Sequence, residues 1–493
     1  MGVNTISGQK PSPRQMDQLI SDQLKQTLIT HREFVSIPND AAFPEDMAKN
    51  IVWLKAAFEK ADFSVQVLET GSIPLVFAQN KPKSKNKTIL FYLHMDGQSV
   101  DPALWDQKHP FEPVLKKNNP EGGFSQIPWN SIEGEIDPEW RVFGRAAADD
   151  KGPIIMFLQA LSIMKQKGWE AGINIKVILD GEEEIGSKGF RQTLDKYKDL
   201  YQADYLIIMD GPAHPTNRPT ITFGCRGVTG FDLTVYGPIV PQHSGHYGNY
   251  APNPVFSMSH LLASMKDEKG RVLIDGFYDG ITIDANIQKI LDAVPDDAKS
   301  INAQIGIAQP DAVGRNYQES LQYPSLNVRN ISTSWKGEKA KTIIPEQTTV
   351  NMGIRLVPES DGERLLALTK KHIQQQGYYV IDRVPTPEER RKYDKIATFQ
   401  GKSGVNAFRT PMDHELGKRL TKALTQNFGE DPVRIRIMGG TVPISPAVET
   451  LGIPAVIIPM VNMDNNQHSP NENLRIGNMI SGIKTCLSIF TDF

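Results

Sequence analysis

Three predicted strands with hydrophobic cores are the feature that most constrains the fold of this chain. They occupy 88–93, 173–179 and 203–209, and a run with helical periodicity follows residue 150, between the first and the second. Apolar segments of this length, bounded by polar residues, predict buried strands. Strands that alternate with helices predict an α/β domain with a mainly parallel sheet.

Ionisable side chains follow each of these strands. His94 and Asp96 come after the first, Glu183 and Glu184 after the second, and Asp210 after the third. Because sites in parallel sheets form outside the carboxyl ends of the strands, we expect these side chains to lie close together. Taken singly, each has another explanation: His94 fits a turn cap, the glutamates a solvated surface and Asp210 a turn.

Two adjacent aspartates mark the start of the helix after residue 150. Asp149 and Asp150 follow three alanines, and negative charge at this position suits the N-terminus of a helix. A simple helix cap explains one aspartate there. Two in a row, preceded by small residues, suggest a crowded site where a carboxylate meets a cation. His468, in a polar loop near the end of the chain, is a further candidate ligand.

Composition limits the class of protein and of metal site. The chain has 493 residues, too many for one core, and a formal net charge of -3, which gives no reason to expect nucleic acid or an anionic membrane as partner. Two cysteines exclude a disulfide framework and a cysteine metal site. No apolar run has the length of a membrane helix, and 1–13 lacks a signal-peptide core. We expect a cytoplasmic protein, and a secreted form whose signal has been removed would look the same.

The candidate histidine and carboxylate ligands are sufficient to bind two metal ions. Zinc accepts imidazole nitrogen and carboxylate oxygen, and manganese and cobalt accept the same donors. Two ions close together need a shared anionic bridge, for which Asp149 is the candidate. Adjacent Glu183 and Glu184 can point differently, one towards metal and one towards water.

A change in the pattern of apolar residues divides the chain into three parts. After residue 226 the predicted order of strands and helices is βαββαβ, with strands that include 326–335 and 378–384. We therefore predict a catalytic domain formed by 1–225 and 386–493, interrupted at 226–385 by an inserted α+β, ferredoxin-like lid and dimerisation domain. The stretch 101–140 is predicted to be a long irregular loop.

The ordered motifs resemble those of the co-catalytic zinc peptidases, a family that includes carnosinases and other cytosolic dipeptidases, carboxypeptidase G and the aminoacylases. The resemblance covers nearly the whole chain. The motifs that carry it are His94-x-Asp96, Gly144 to Gly152 with Asp149-Asp150, Glu182 to Ser187, Asp210 and the late His468.

The resemblance implies a role for each of these residues. Asp149 would bridge two Zn²⁺, with His94 and Asp210 completing one shell and Glu184 and His468 the other. Glu183 would be the general base for a metal-bridging water, and Asp96 would orient His94. The family also often has a cis peptide bond after the bridging aspartate, here between Asp149 and Asp150.

Four residues of the second domain or of the loop at 439–443 are implied to bind substrate. His243 matches a lid histidine that reaches a neighbouring subunit's site, with His246 as the alternative position, and this match implies a homodimer. Arg355 matches an arginine that binds the substrate carboxylate. Gly440 and Thr441 match a glycine-rich substrate loop.

The prediction is a dinuclear metallohydrolase that cleaves the amide bond of a dipeptide or short peptide. The first alternative is an N-acyl amino acid amidohydrolase on the same scaffold. Ile437 and Met438 favour that alternative, because dipeptidases often carry Arg-Glu at these positions. A second alternative is a non-catalytic binding protein.

Overall fold

The computed structural model describes residues 11–333 and 342–493, which form two compact units. Unit 1 contains the described residues up to Gly224 together with Arg409–Arg436 and Val442–Phe493. Unit 2 contains Cys225–Phe408 and Ile437–Thr441. Positions 1–10 of the N-terminal stretch without a signal-peptide core lie outside the described residues, as do positions 334–335 of the strand predicted at 326–335.

The strands, in chain order, are β1 Ser64–Leu68, β2 Leu75–Gln79, β3 Thr88–His94, β4 Val114–Asn118, β5 Phe124–Ile127, β6 Arg141–Phe143, β7 Asn174–Asp180, β8 Tyr205–Ile208, β9 Thr220–Thr222, β10 Gly224–Cys225, β11 Gly227–Tyr236, β12 Gln242–His243, β13 Ser325–Thr333, β14 Ile343–Ile344, β15 Gln347–Leu356, β16 Tyr379–Ile381, β17 Ile396–Val405, β18 Phe408–Arg409, β19 Val433–Ile435, β20 Ala455–Ile457 and β21 Asn473–Arg475.

The α-helices are α1 Pro13–Val35, α2 Pro44–Lys60, α3 Lys151–Lys167, α4 Lys188–Lys196, α5 Lys198–Tyr201, α6 Ser244–Tyr247, α7 Pro254–Met265, α8 Ala285–Asp292, α9 Ala298–Ile305, α10 Tyr317–Ser320, α11 Gly362–Gln375, α12 Pro387–Lys392, α13 Glu415–Phe428, α14 Ser445–Leu451 and α15 Ile476–Asp492. Short 3-10 turns occur at Pro102–Leu104, Trp129–Glu133 and Glu183–Ile185.

A mixed, mainly parallel sheet forms the centre of unit 1, as predicted. Its strand order is β1-β2-β7-β3-β8-β20-β9-β19. The strands β7, β3, β8 and β20 run parallel to their neighbours within that block, whereas β1 and β2 form an antiparallel edge. Parallel pairing aligns His94 with Asp180 at one edge of the sheet, so the residues that follow β3 and β7 emerge side by side.

Aromatic packing joins helix α3 to this sheet and to the last helix. The ring of Phe157 lies 5.1 Å from that of Phe91 on β3 and 4.9 Å from that of Phe490 on α15, and all three side chains are fully buried. Helix α3 begins directly after Asp149 and Asp150. The aromatic contacts therefore fix the helix whose first turn follows the predicted bridging residue.

The stretch 101–140, predicted to be an irregular loop, is not structureless. It contains β4 and β5, which pair antiparallel to each other, and β4 also pairs with β6. With β21 they form a separate four-stranded sheet of order β21-β6-β4-β5. Sequence reasoning missed these strands because they are short and partly exposed, so their apolar pattern is weak.

Unit 2 is built on a five-stranded sheet of order β13-β15-β11-β17-β16. The prediction placed the last strand at 378–384 and ended the domain at 385. Strand β11 pairs antiparallel with β15 on one side and with β17 on the other, and β16 lies at the edge, parallel to β17. Because β17 supplies this central pairing, the compact unit extends to Phe408.

None of the helices in the described part of the chain is both long enough and apolar enough to cross a membrane.

The aromatic cluster gives a prediction about stability. We expect Phe157→Ala to lower the free energy of unfolding by roughly 3–5 kcal/mol, because it leaves a cavity between Phe91 and Phe490. Denaturant unfolding followed by circular dichroism measures this loss. Val52→Ala, at a side chain that is 69% exposed, is the control and should stay within about 0.5 kcal/mol of the wild type. Equal effects of the two substitutions would contradict the packing role.

Candidate metal centre

His94 is the last residue of β3 and is completely buried. Its Nε2 lies 2.9 Å from Oδ1 of Asp149 and 4.0 Å from Oδ1 of Asp210. Its Nδ1 faces Asp96, 3.4 Å from Oδ1. The side chains predicted at the ends of β3 and β8 therefore meet, and the Nε2 atom is the one that faces the carboxylates.

Asp149 is shared between two groups of potential ligands. While its Oδ1 faces His94, its Oδ2 lies 3.2 Å from Nε2 of His468. The same His468 nitrogen lies 3.0 Å from Oε2 of Glu184. The peptide bond between Asp149 and Asp150 is cis, as the family resemblance implied. Asp150 belongs to neither ligand group, and its Oδ2 accepts the backbone N–H of His94 at 3.1 Å.

The donor set fits two divalent metal ions. One atom from each of His94, Asp149 and Asp210 lies within 4.8 Å of the others, and the same holds for Asp149, Glu184 and His468. Imidazole nitrogens and carboxylate oxygens in this combination suit zinc, and manganese and cobalt accept them too. A carboxylate with one oxygen in each group has the arrangement that a bridging ligand needs.

Several carboxylates lie close together at the site, and the imidazoles of two histidines compensate their negative charge. Burial lowers the pKa of His94, but hydrogen bonds with Asp149 and Asp96 outweigh burial and raise the pKa well above its usual value. Hydrogen bonds with Asp149 and Glu184 raise the pKa of His468 to about 10. Burial, followed by repulsion from Asp149, raises the pKa of Asp210 to about 7. Bound cations would relieve the same repulsion.

Glu183 belongs to neither ligand group, but the charges of His94 and Asp210 act on its carboxyl. It opens a single 3-10 turn after β7, and Asp96 accepts the backbone N–H of Glu183 at 3.1 Å and that of Glu184 at 3.0 Å. Burial raises the pKa of the Glu183 carboxyl well above its usual value. Asp96 thus contacts His94 and also fixes the turn that presents both glutamates, a second contact that the sequence did not suggest.

Two further residues of unit 1 support the site and were missed from the sequence. Glu472 is fully buried and accepts the backbone N–H groups of Ala146, Ala148 and Asp149. Arg145 forms an ion pair with it at 2.7 Å. Glu472 follows His468 in the same polar loop, but no periodic pattern links that loop to residue 149. Only an acidic residue close to a candidate ligand could have drawn attention to it.

Three of the four predicted substrate-binding residues lie together in unit 2. Arg355 donates from Nη1 to the hydroxyl of Thr441, and that hydroxyl donates to the carbonyl of Arg226 at 2.6 Å. The carbonyl of Gly440 accepts the backbone N–H of Arg226 at 3.1 Å. The fourth residue, His243, ends the short strand β12, is exposed, and accepts the backbone N–H of Gly245 at its Nδ1.

Ile437 has a structural role in unit 2. Its side chain is completely buried and packs with Leu321 and Val357. A buried apolar residue at this position contributes to packing, so it gives no reason to expect an apolar substrate group there. Ile437 therefore does not by itself favour an N-acyl substrate.

A comparison with protein families decides the identity of this scaffold. Residues 90–492 match the family described as Peptidase family M20/M25/M40. The chain belongs to this peptidase family. The match spans every residue of the two ligand groups, from His94 to His468.

The similar proteins include two named as dipeptidases and a solved structure of a metallo-carboxypeptidase. A Cys-Gly metallodipeptidase of Schizosaccharomyces pombe, dug1, is 29% identical over 445 residues, covering 87% of this chain and 86% of that protein. A Beta-Ala-His dipeptidase of Mus musculus is 25% identical over 497 residues, covering 96% and 93%. The solved structure of the M20 metallo-carboxypeptidase Sso-CP2 from Sulfolobus solfataricus has a TM-score of 0.74 at 26% identity, covering 94% of this chain and 98% of that one.

The shared position of Asp149 gives a prediction about metal content. We expect the wild-type chain to bind about two equivalents of metal and Asp149→Asn to lose both, because a bridging carboxylate serves both ions. Asp210→Asn should weaken mainly one equivalent, since Asp210 belongs to one group. Elemental analysis after dialysis measures the stoichiometry. Equal losses in the two variants would contradict a bridging role.

Proposed function

We propose that this chain is a metal-dependent dipeptidase that hydrolyses the amide bond of dipeptides or short peptides. The observation that carries the proposal is the pair of ligand groups that share Asp149, with the carboxyl of Glu183 beside them and outside both. The dipeptidase names of its relatives support the choice of substrate class.

In this proposal five residues of unit 1 would hold two zinc ions. His94 and Asp210 would serve one ion, Glu184 and His468 the other, and Asp149 both. When bound, the ions would supply Lewis-acid polarisation of the scissile carbonyl and a lowered pKa for water. Manganese or cobalt in place of zinc is compatible with the same nitrogen and oxygen donors.

Glu183 is the proposed general base. It accepts a proton from the attacking water and passes it to the leaving amine. Two features of the chain suit Glu183 to this role. Burial raises the pKa of its carboxyl, and Asp96 accepts a hydrogen bond from its backbone N–H. Since Asp96 also faces Nδ1 of His94, one carboxylate orients a metal ligand and the base together.

The proposed substrate contacts come from unit 2, the proposed lid. We assign Arg355 to the substrate carboxylate, because a guanidinium presents paired N–H groups that match carboxylate geometry. Thr441 holds one of its nitrogens, and the backbone of Gly440 is available for close approach. His243 is assigned to the oxyanion of the tetrahedral intermediate.

Both alternatives are less well supported. An N-acyl amino acid amidohydrolase would use the same centre, but the curated relatives at 29% and 25% identity are dipeptidases. A non-catalytic binding protein would not need the general base, whereas Glu183 and both ligand groups are present.

A substrate panel tests the proposal. We expect the metal-loaded wild-type protein to hydrolyse dipeptides faster than N-acetyl amino acids, and chelation to abolish the activity. Glu183→Gln should lower kcat by about 10²–10⁴-fold, because it removes the proton acceptor. Metal content should stay at the wild-type level in this variant, since Glu183 is outside both ligand groups. Amine release and elemental analysis measure the two properties.

Two results of that panel would contradict the proposal. If the protein hydrolysed only N-acetyl amino acids, its function would be that of an N-acyl amino acid amidohydrolase and not that of a dipeptidase. Hydrolysis that is unchanged in Glu183→Gln would remove Glu183 from the role of base. Gln98→Ala is a useful comparison, since Gln98 donates to Oε2 of Glu184 at 2.8 Å and its loss should reduce activity less.

We also propose a homodimer formed through unit 2, in the cytoplasm. Strand β13 lies at the edge of its sheet among the described residues, and Val328 and Ile331 on it are 46% and 48% exposed. An exposed strand edge with apolar side chains is a template for pairing with a second copy.

The proposed cytoplasmic location rests on cysteine content, since a chain with two cysteines suits a reducing compartment.

Mixed variants test whether His243 serves a neighbouring subunit. Glu183→Gln and His243→Ala should each be inactive alone, and exchange of subunits between them should restore part of the activity. The restored activity would come from sites that combine an intact base with the partner's intact histidine. Glu183→Gln mixed with Asp149→Asn is the control and should recover nothing, since both defects lie in unit 1. Failure of the first mixture to recover, although both variants dimerise, would contradict the assignment.

A further inference from the structure

Glu472 accepts an unusually complete set of hydrogen bonds next to the metal centre. Its side chain is 0% exposed. Its Oε2 accepts Nη1 of Arg145 at 2.7 Å and the backbone N–H of Ala146 at 2.9 Å. Its Oε1 accepts the backbone N–H groups of Ala148 and Asp149, each at 2.9 Å. One carboxylate thus receives four donors.

The loop that ends in Asp149 depends on these bonds. Among its remaining backbone N–H groups, that of Arg145 donates to the carbonyl of Pro110 at 2.9 Å and that of Ala147 to the carbonyl of Gly144 at 3.1 Å. Ala146 has φ of 61°, a left-handed conformation that residues other than glycine rarely adopt. Within this loop only the N–H of Ala147 has an acceptor of the loop itself, so the other donors require acceptors outside it.

Glu472 also connects the chain segment of Asp149 with that of a second candidate ligand, His468. The backbone N–H of Gly144 donates to the carbonyl of Glu472 at 3.0 Å. Arg145, the ion-pair partner of Glu472, donates from Nη2 to the carbonyl of Ser469 at 3.3 Å. Ser469 follows His468 directly, and His468 itself has φ of 60°. Glu472 and Arg145 therefore connect the loop of Asp149 with the loop of His468.

We propose that Glu472 is a positioning residue of the metal centre, which fixes the shared ligand Asp149 and holds it in place relative to His468. The inference rests on the metal centre of the proposed function. A carboxylate is needed here because it offers only acceptors, whereas an amide offers one acceptor oxygen and an NH₂ group that would face other donors. Glutamine has nearly the same volume, so the substitution isolates the acceptor chemistry.

Metal affinity distinguishes a role of Glu472 in positioning the metal ligands from a role in stabilising the fold alone. We expect Glu472→Gln to weaken binding of Mn²⁺ by about 10–100-fold, the usual effect of removing a residue that orients a metal ligand. Competition with a chromogenic chelator measures the affinity without reference to activity. The curve of dipeptide hydrolysis against free Mn²⁺ should shift by a similar factor, and excess Mn²⁺ should restore most of kcat with little change in KM.

A buried glutamate that belongs to neither ligand group provides the matched control. Glu319 in unit 2 is 7% exposed and forms an ion pair with Arg315 at 2.8 Å. Glu319→Gln should change thermal stability without changing the affinity for Mn²⁺. If Glu472 only stabilised the fold, the two substitutions would behave alike.

Amide hydrogen exchange of the wild-type protein keeps the inference testable even if Glu472→Gln fails to fold. The peptide that contains Ala148 and Asp149 should be protected in the metal-free protein, because Glu472 and not the metal accepts these N–H groups. Rapid exchange there, or affinity for Mn²⁺ in a folded Glu472→Gln variant within about twofold of the wild type, would overturn the inference and leave the dipeptidase proposal intact. A wild-type protein that binds no Mn²⁺, Zn²⁺ or Co²⁺ would overturn both.

Discussion

The carboxylate of Asp149 is the group on which the rest of this structure depends. Its two oxygens face two different histidines, His94 and His468, whose segments are far apart in the chain. A buried carboxylate is costly unless cations or donors compensate it. The surrounding segments supply such compensation, since an imidazole contacts each of its two oxygens.

The scaffold brings these groups together through parallel strands and buried aromatic packing. Strands β3, β7 and β8 are neighbours and run in the same direction, so His94, the glutamate turn and Asp210 follow them at one edge of the sheet. Helix α3 is held against β3 and α15 by the ring of Phe157. A rigid arrangement of this kind keeps a metal ligand and a general base at fixed positions, which catalysis by proximity requires.

Supporting residues give the site its order. Asp96 contacts His94 and the backbone of Glu183 and Glu184, so one side chain orients a ligand and the proposed base. Asp150 holds the backbone of His94, and Glu472 holds that of Asp149. In each case a buried acidic residue accepts backbone N–H groups. This repeated arrangement explains why the centre contains more carboxylates than two metal ions could use.

The sequence by itself determined the class of fold, the positions of the main strands in the chain, and the chemistry of the candidate ligands. Continuous apolar strands such as 88–93 are local signals, and a histidine or acidic residue directly after a strand can be placed at a sheet edge from pattern alone. Strands β4, β5 and β17 were not predicted because their pairing, more than their own apolar pattern, defines them. Only the tertiary structure decided that Glu472 supports Asp149 and that Ile437 belongs to the core of unit 2. Hydrogen bonds between residues 323 positions apart leave no periodic trace in a sequence, because the contact is made by the fold and not by neighbouring residues.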